Sequence, residues 1–335
     1  MKLKWPFLFA IAFLVMVSCQ PKKTNPTLKE QTFKELDELN RLISKNPEDT
    51  DALHQRAKYF LASANYEDAL ADLNKVLQLD SKNPEFFLTL AEVYLKMGQA
   101  DACSGALQQA SNLDPQNPVP FFRLAELYLM MDEKPTAMIY ADRSLAVQSF
   151  NPDALFVKGL VYLANTDTAN AVRNFELALN QREAFFEPLF QLGVIHTVRH
   201  NPLAEQYLLK AVRLFPQQYK GRYQLALYYQ ENDHVKEAEL QYDTLLQIVP
   251  ENKFVLFNLG YLNLIYLNNL EKAIQFFDDA LLSDPNYVDA LYNKGRAMEE
   301  LGQYSNAREV YQEVLRRETN HKLAIQALNR LDSRR

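Results

Sequence analysis

Residues 81–114 read SKNPEFFLTLAEVYLKMGQADACSGALQQASNLD, and residues 115–148 read PQNPVPFFRLAELYLMMDEKPTAMIYADRSLAVQ. Laid one over the other, Ala91 falls on Ala125, Tyr94 on Tyr128 and Cys103 on Ala137. A fixed period of this size is the mark of a repeat array, and it decides the fold before any local motif does.

The same spacing continues in both directions. The segments that close one period and open the next are Asn46-Pro47, Asp80-Ser81, Asp114-Pro115, Gln148-Ser149, Arg182-Glu183, Phe215-Pro216, Val249-Pro250, Asp284-Pro285 and Glu318-Thr319. Their second members are 34, 34, 34, 34, 33, 34, 35 and 34 residues apart. Small residues recur at Ala57, Ala91, Ala125, Gly159, Gly193, Ala226, Gly260 and Gly295, and again at Ala69, Cys103, Ala137, Ala171, Ala204, Ala238, Ala273 and Ala307. Three places after the first series stand Phe60, Tyr94, Tyr128, Tyr162, His196, Tyr229, Asn263 and Met298. The whole chain holds only 8 Gly and no strand-like β-branched runs, which favours helix.

Each period therefore predicts two antiparallel helices that approach closely where small side chains meet. Ala57 is expected to face Ala69, and Gly295 to face Ala307, with Tyr94 beside Leu107 and Tyr162 beside Phe175 at the crossing. One helix pair cannot bury both faces, so neighbours stack. The fifth period lacks a residue near Arg199–Pro202 and the seventh gains one near Ile265–Asn269, both at the turn inside the pair.

This pattern resembles the tetratricopeptide repeat, with its small residue at position 8, aromatic at 11, Ala at 20, bulky residue at 24 and Pro at 32, and the likeness runs from Thr50 to about Asn320. It implies an all-α fold, a right-handed α-α superhelix of about eight repeats over residues 50–319. Residues 31–49 are expected to form an N-terminal capping helix, with Phe33, Leu36, Leu39, Leu42 and Ile43 at helical spacing from Thr32 to Asn46. Residues 320–335 are expected to cap the other end through Leu323, Ile325, Leu328 and Leu331.

The N-terminus follows a different logic. Lys2 and Lys4 precede an uncharged stretch, Trp5 to Val17, too short for the ~20 residues of a membrane span. It reads as a signal peptide over residues 1–18. Met16-Val17-Ser18-Cys19 resembles a bacterial lipobox, which implies acylation of Cys19. Residues 19–30 are expected to be a flexible tether, because Pro21 and Pro26 with no apolar residue between them oppose helix and core. Gln20 stands where a retention Asp would hold some lipoproteins at the inner membrane. The expectation is therefore the outer membrane, facing the periplasm.

A formal net charge of -6 leaves no electrostatic reason to seek phosphate backbones, so nucleic acid is excluded as a partner. Of the two cysteines, Cys19 is assigned to the anchor, and Cys103 takes the place of a packed Ala. His196 and His200 have a metal-binding spacing, but the pair lacks the accompanying Glu and a third ligand. No Gly-rich phosphate loop is present. The chain is thus expected to be no enzyme and to use no cofactor, metal or small-molecule substrate.

In the family, positions 2, 5, 9, 12 and 13 line the concave wall. Position 5 reads His54, Leu88, Phe122, Phe156, Phe190, Tyr223, Phe257 and Tyr292. Position 9 reads Lys58, Glu92, Glu126, Leu160, Val194, Leu227, Tyr261 and Arg296. The expected groove therefore runs along Phe122, Phe156, Leu160, Phe190, Val194, Tyr223, Leu227, Phe257, Tyr261 and Tyr292, and would grip an apolar peptide or helix. Packing of these aromatics against neighbouring repeats is the competing reading. His54 and Lys58 do not match the Lys and Asn of a carboxylate clamp, while Glu92 and Glu126 suit a basic segment. The resemblance implies an adaptor, like the outer-membrane lipoproteins that gather cell-wall hydrolases and proteases. The alternative it leaves is a pilotin-like assembly factor for a secretion or pilus complex.

Overall fold

The computed structural model describes residues 26–333, with side chains from residue 35 onward. The lipobox, Cys19 and most of the expected tether lie outside the described residues. Among these residues every regular element is an α-helix, and they fall into two compact units that meet in sequence at Gln181 and Arg182.

The first unit contains α1 (Pro26–Lys45), α2 (Thr50–Ala62), α3 (Tyr66–Leu79), α4 (Pro84–Lys96), α5 (Ala100–Leu113), α6 (Pro118–Met130), α7 (Lys134–Val147), α8 (Pro152–Ala164) and α9 (Thr168–Gln181). The second contains α10 (Phe186–Val198), α11 (Leu203–Leu214), α12 (Tyr219–Glu231), α13 (Val235–Ile248), α14 (Lys253–Ile265), α15 (Leu270–Ser283), α16 (Val288–Glu300), α17 (Tyr304–Arg317) and α18 (Lys322–Asp332). Each unit is a row of helical hairpins. α2 pairs with α3, α4 with α5 and so on to α16 with α17, and each hairpin packs on the next within its unit.

Local chemistry starts and stops the helices. Asn83, Asn117 and Asn151 accept a hydrogen bond from a first-turn amide, and each is followed by Pro at the first helical position. That combination satisfies an orphan donor where the missing proline N–H costs nothing. Each hairpin turn is made by one residue in the left-handed region: Ala64, Gly98, Asp132, Thr166, His200, Asp233, Asn268 and Gly302. The amide that follows bonds back across the turn, as Asn65 N–H does to Phe60 O at 2.8 Å and Asn201 N–H to His196 O at 2.9 Å. Thr166 holds a φ of 61° there, which a β-branched residue adopts at a cost of ~1–2 kcal/mol. Thr166→Gly relieves that cost against a smaller loss through the freer unfolded chain. Urea denaturation is expected to show a net gain of ~0.5–1 kcal/mol; an unchanged midpoint would contradict it.

The two small-residue series are buried at the hairpin crossings, Ala57, Ala69, Ala125, Ala137, Ala171 and Ala307 completely. Gly295, however, does not primarily make room for Ala307. A Cβ added there would lie 2.7 Å from Cε1 of Tyr311, the bulky residue one turn further along α17. Gly159 likewise accommodates Phe175, Gly193 accommodates Leu208 and Gly260 accommodates Phe277. Side chains on a helix lean toward its N-terminus, so the residue four places on reaches back to the crossing.

The ends differ from expectation in three ways. α1 begins at Pro26, inside the stretch 19–30 read as tether, because Pro is well placed at a helix start. It also stops at Lys45, one residue before the expected end at Asn46. On α18 the buried face is Ala324, Ala327 and Leu331 with Leu328 beside them, whereas Leu323 and Ile325 are exposed. Small residues again permit the closer approach. The seventh repeat's extra residue enters the turn before α15 as expected, whereas the fifth repeat's shortfall falls in helix α11, which has 12 residues where α9 has 14, and not in the turn before it.

Candidate functional site

In the first unit a cavity of about 540 Å³ opens on the faces of the first helices of its repeats. Position 9 of all four repeats reaches it, as Lys58, Glu92, Glu126 and Leu160. The middle wall comes from α4, where Glu85, Leu88, Thr89, Glu92, Leu95 and Lys96 share one face by their spacing of three and four. Leu127 and Met130 of α6 complete an apolar floor, with Met130 half exposed at 49%. Glu126 is tied to Arg123 at 2.9 Å on the same helix. The lining is therefore apolar at its base and carries both signs of charge at its rim.

Two titratable groups lie at or just behind this wall, and packing governs both. Cys103 is buried at the back of the cavity, where burial pushes its thiol up to about 11 and keeps it protonated. His54 is buried with its Nε2 2.8 Å from Thr89 Oγ1 and its ring edge-on to Phe86. Burial, with Lys58 nearby, lowers its pKa to about 4, so it is neutral at pH 7 and brings no charge to a partner's carboxylate. The other histidines pack or cap: His196 is buried and stacked on Tyr207, His234 stacks on Tyr229, and His321 accepts from Ala324 N–H at the start of α18. His200 forms a turn. Among the described residues no three His, Cys, Asp or Glu side chains gather as metal ligands would.

The ten residues of the expected groove are divided between the units. In the first, Phe122 is 6% exposed and offers almost no surface, while Phe156 and Leu160 are half-buried. In the second, Phe190, Val194, Tyr223, Leu227, Phe257, Tyr261 and Tyr292 are all half-buried. One repeated contact explains this. The position-5 ring lies on the position-24 ring of its own hairpin, Phe156 on Phe175 at 5.6 Å, Tyr223 on Tyr242 at 6.2 Å, Phe257 on Phe277 and Tyr292 on Tyr311 at 5.8 Å each. These rings thus complete the hairpin core with one face and leave part of the other uncovered. Tyr223 also accepts from Asn258 Nδ2 at 3.0 Å in the next repeat, which fixes its hydroxyl. Leu95 and Met130 were not named from the sequence, although they stand at wall positions 12 and 13; Leu88 was read at position 5 but left out of the expected groove.

The sequence pattern of the tetratricopeptide repeat matches residues 60–119 and 264–331, which span parts of both units. These are tetratricopeptide repeats. Solved structures share the fold. The Cut9 and Hcn1 hetero-tetramer of the APC/C is similar at 18% identity over 91% of this chain and 59% of that one, with a TM-score of 0.54. A tetratricopeptide repeat protein from Parabacteroides merdae is similar at 14% identity over 74% of this chain and 98% of its own, with a TM-score of 0.50. YrrB, a repeat protein with an unusual peptide-binding site, is 25% identical over 57% of this chain and 98% of its own, with a TM-score of 0.49. No curated protein matches the chain. Stacked repeats of this kind build the extended surfaces that such arrays use for protein–protein interaction.

Proposed function

We propose that this protein is a non-enzymatic scaffold that holds another polypeptide on the inner faces of its repeats. The observation that carries the reading is the cavity of the first unit, to which four successive repeats contribute position 9. Its apolar floor suits the side chains of a peptide or short helix, and its charged rim suits the polar flanks of that segment. The half-exposed aromatics of the second unit extend the same chemistry to a second stretch of apolar chain.

The test uses residues that are exposed and outside the core. Glu92→Lys combined with Met130→Lys reverses one rim charge and places another on the floor. Ile139→Lys, on the outer helix α7 and 54% exposed, is the control. Proteins that co-purify with the wild type are expected to be lost from the double variant and kept by the control, with equal helicity by circular dichroism. Retention of every partner by the double variant removes the cavity from the reading.

The scaffold is proposed to be lipid-anchored through Cys19 at the periplasmic face of the bacterial outer membrane, on the strength of Met16-Val17-Ser18-Cys19 and the apolar stretch before it. Several acyl chains together anchor a protein firmly, since each buried CH₂ contributes ~0.8 kcal/mol. Cys19→Ala is expected to move the protein out of the membrane fraction and to abolish incorporation of labelled palmitate. A variant that stays in the membrane fraction would rule out this anchor.

A further inference from the structure

Position 4 of the first helix is apolar in every repeat but one, and in most of them it is buried. It is occupied by Leu53, Phe87, Phe121, Leu155, Leu189, Leu256 and Leu291, of which Leu53 and Leu189 are completely buried and Leu155, Leu256 and Leu291 are 6% exposed. The sixth repeat breaks this series with Arg222 on α12. Its Nη1 donates to Gln241 Oε1 of α13 at 2.7 Å. Its Nε is buried and has no hydrogen-bond partner, and the guanidinium makes no ion pair among the described residues.

A guanidinium is always charged at neutral pH; Arg222 is half-buried, and the part of its charge withdrawn from water has no counter-ion to offset the cost. Burial alone pulls the Arg222 pKa down, with no carboxylate offsetting it. The arrangement also has a direction. Gln241 occupies Nη1, which leaves the Nε–Nη2 edge, and that edge carries two parallel N–H donors at the spacing of two oxygens on one carboxylate or phosphate.

We propose that Arg222, held in place by Gln241, is an oxyanion-binding subsite of the sixth repeat that takes a carboxylate or a phosphate on its Nε–Nη2 edge. The oxyanion belongs either to an acidic side chain of a bound polypeptide or to a small free anion. The subsite lies in the second unit and does not depend on the first-unit cavity, so either reading can fail alone.

The experiment follows thermal unfolding of the full chain at constant ionic strength as chloride is exchanged for inorganic phosphate in one series and for acetate in another. The wild type is expected to gain a saturable rise in Tm in at least one series. A response to acetate identifies a carboxylate group as the ligand, and a response to phosphate alone identifies a free tetrahedral anion. Arg222→Leu, which installs the residue other repeats carry, is expected to melt higher in chloride and to lose the saturable rise. Arg222→Lys keeps the charge but not the fork, and is expected to bind about tenfold more weakly. An equal rise in the wild type and Arg222→Leu, or none in the wild type with either anion, overturns the proposal.

Discussion

Phe175→Ala is expected to cost about 3–5 kcal/mol, the range for removing a large ring from a closed core. Phe175 is completely buried on α9 and occupies the space left by the missing side chain of Gly159 on α8. Because the facing residue has no Cβ, nothing can swing in to fill the gap, and Phe156, 5.6 Å away, loses the ring it lies on. Equilibrium denaturation in urea, followed by circular dichroism, measures the loss. A cost under about 1 kcal/mol would mean that the ring does not carry the hairpin crossing.

The same contact predicts a change of sign. In the wild type an added Cβ at residue 159 would lie 2.5 Å from Phe175 Cε1, a distance no real contact shows. Gly159→Ala gains ~0.5–1 kcal/mol of helix preference but loses ~1–3 kcal/mol to overpacking, so alone it destabilises. In the Phe175→Ala background the methyl enters empty space and the substitution becomes stabilising. Pairing Gly159→Ala with Phe175→Leu rebuilds what the first hairpin already has, Ala57 with Leu73, both completely buried. That double variant is expected to come within about 1 kcal/mol of the wild type, as a volume-conserving exchange should. Strict additivity of the two changes would show that the residues do not touch.

How far such contacts can be read without coordinates depends on whether they follow from period or from direction. The 34-residue period, the hairpins and the small residues at their crossings follow from the chain's need to bury the same face repeatedly, and all are written in the order of Ala57, Ala69 and their successors. The partner of Gly295 is not, because period alone does not reveal that Tyr311 leans back over the crossing instead of Ala307. The same blindness explains α18: Leu323 and Ile325 look like core by hydrophobicity, yet the helix settles on Ala324 and Ala327, where backbones can come closest. The position-5 aromatics were legible as a column, but whether they face a partner or a neighbour turns on the position-24 ring beneath them. The first-unit cavity was harder still, since Leu95 and Met130 become floor only when four hairpins are set side by side.

Asp72→Ala is expected to cost about 2–3 kcal/mol, somewhat less than the ~3–5 kcal/mol of breaking a fully buried ion pair, because Arg56 retains some water. Asp72 is 6% exposed on α3 and takes both oxygens to Arg56 of α2, with Oδ2 2.7 Å from Nε and Oδ1 2.7 Å from Nη2. The remaining nitrogen of the same guanidinium, Nη1, donates to Asn40 Oδ1 of α1 at 2.8 Å, and its Cζ lies 5.7 Å from the centre of the Phe60 ring. One arginine thus ties the capping helix to both helices of the first hairpin, and Asp72 is what holds it in that pose. Without the carboxylate, Arg56 turns to solvent, and among the described residues α1 is left with the buried contacts of Leu39 and Ile43, each 9% exposed. Limited proteolysis should then cut the connection at residues 46–49 faster than in the wild type, before global unfolding. Replacing both partners, Arg56→Leu with Asp72→Leu, removes the charge and its desolvation together and is expected to recover stability to within about 1 kcal/mol. Faster cleavage should persist in that double variant, since Asn40 still lacks its donor; recovery of both properties together would show that packing alone, and not the arginine, seats the cap.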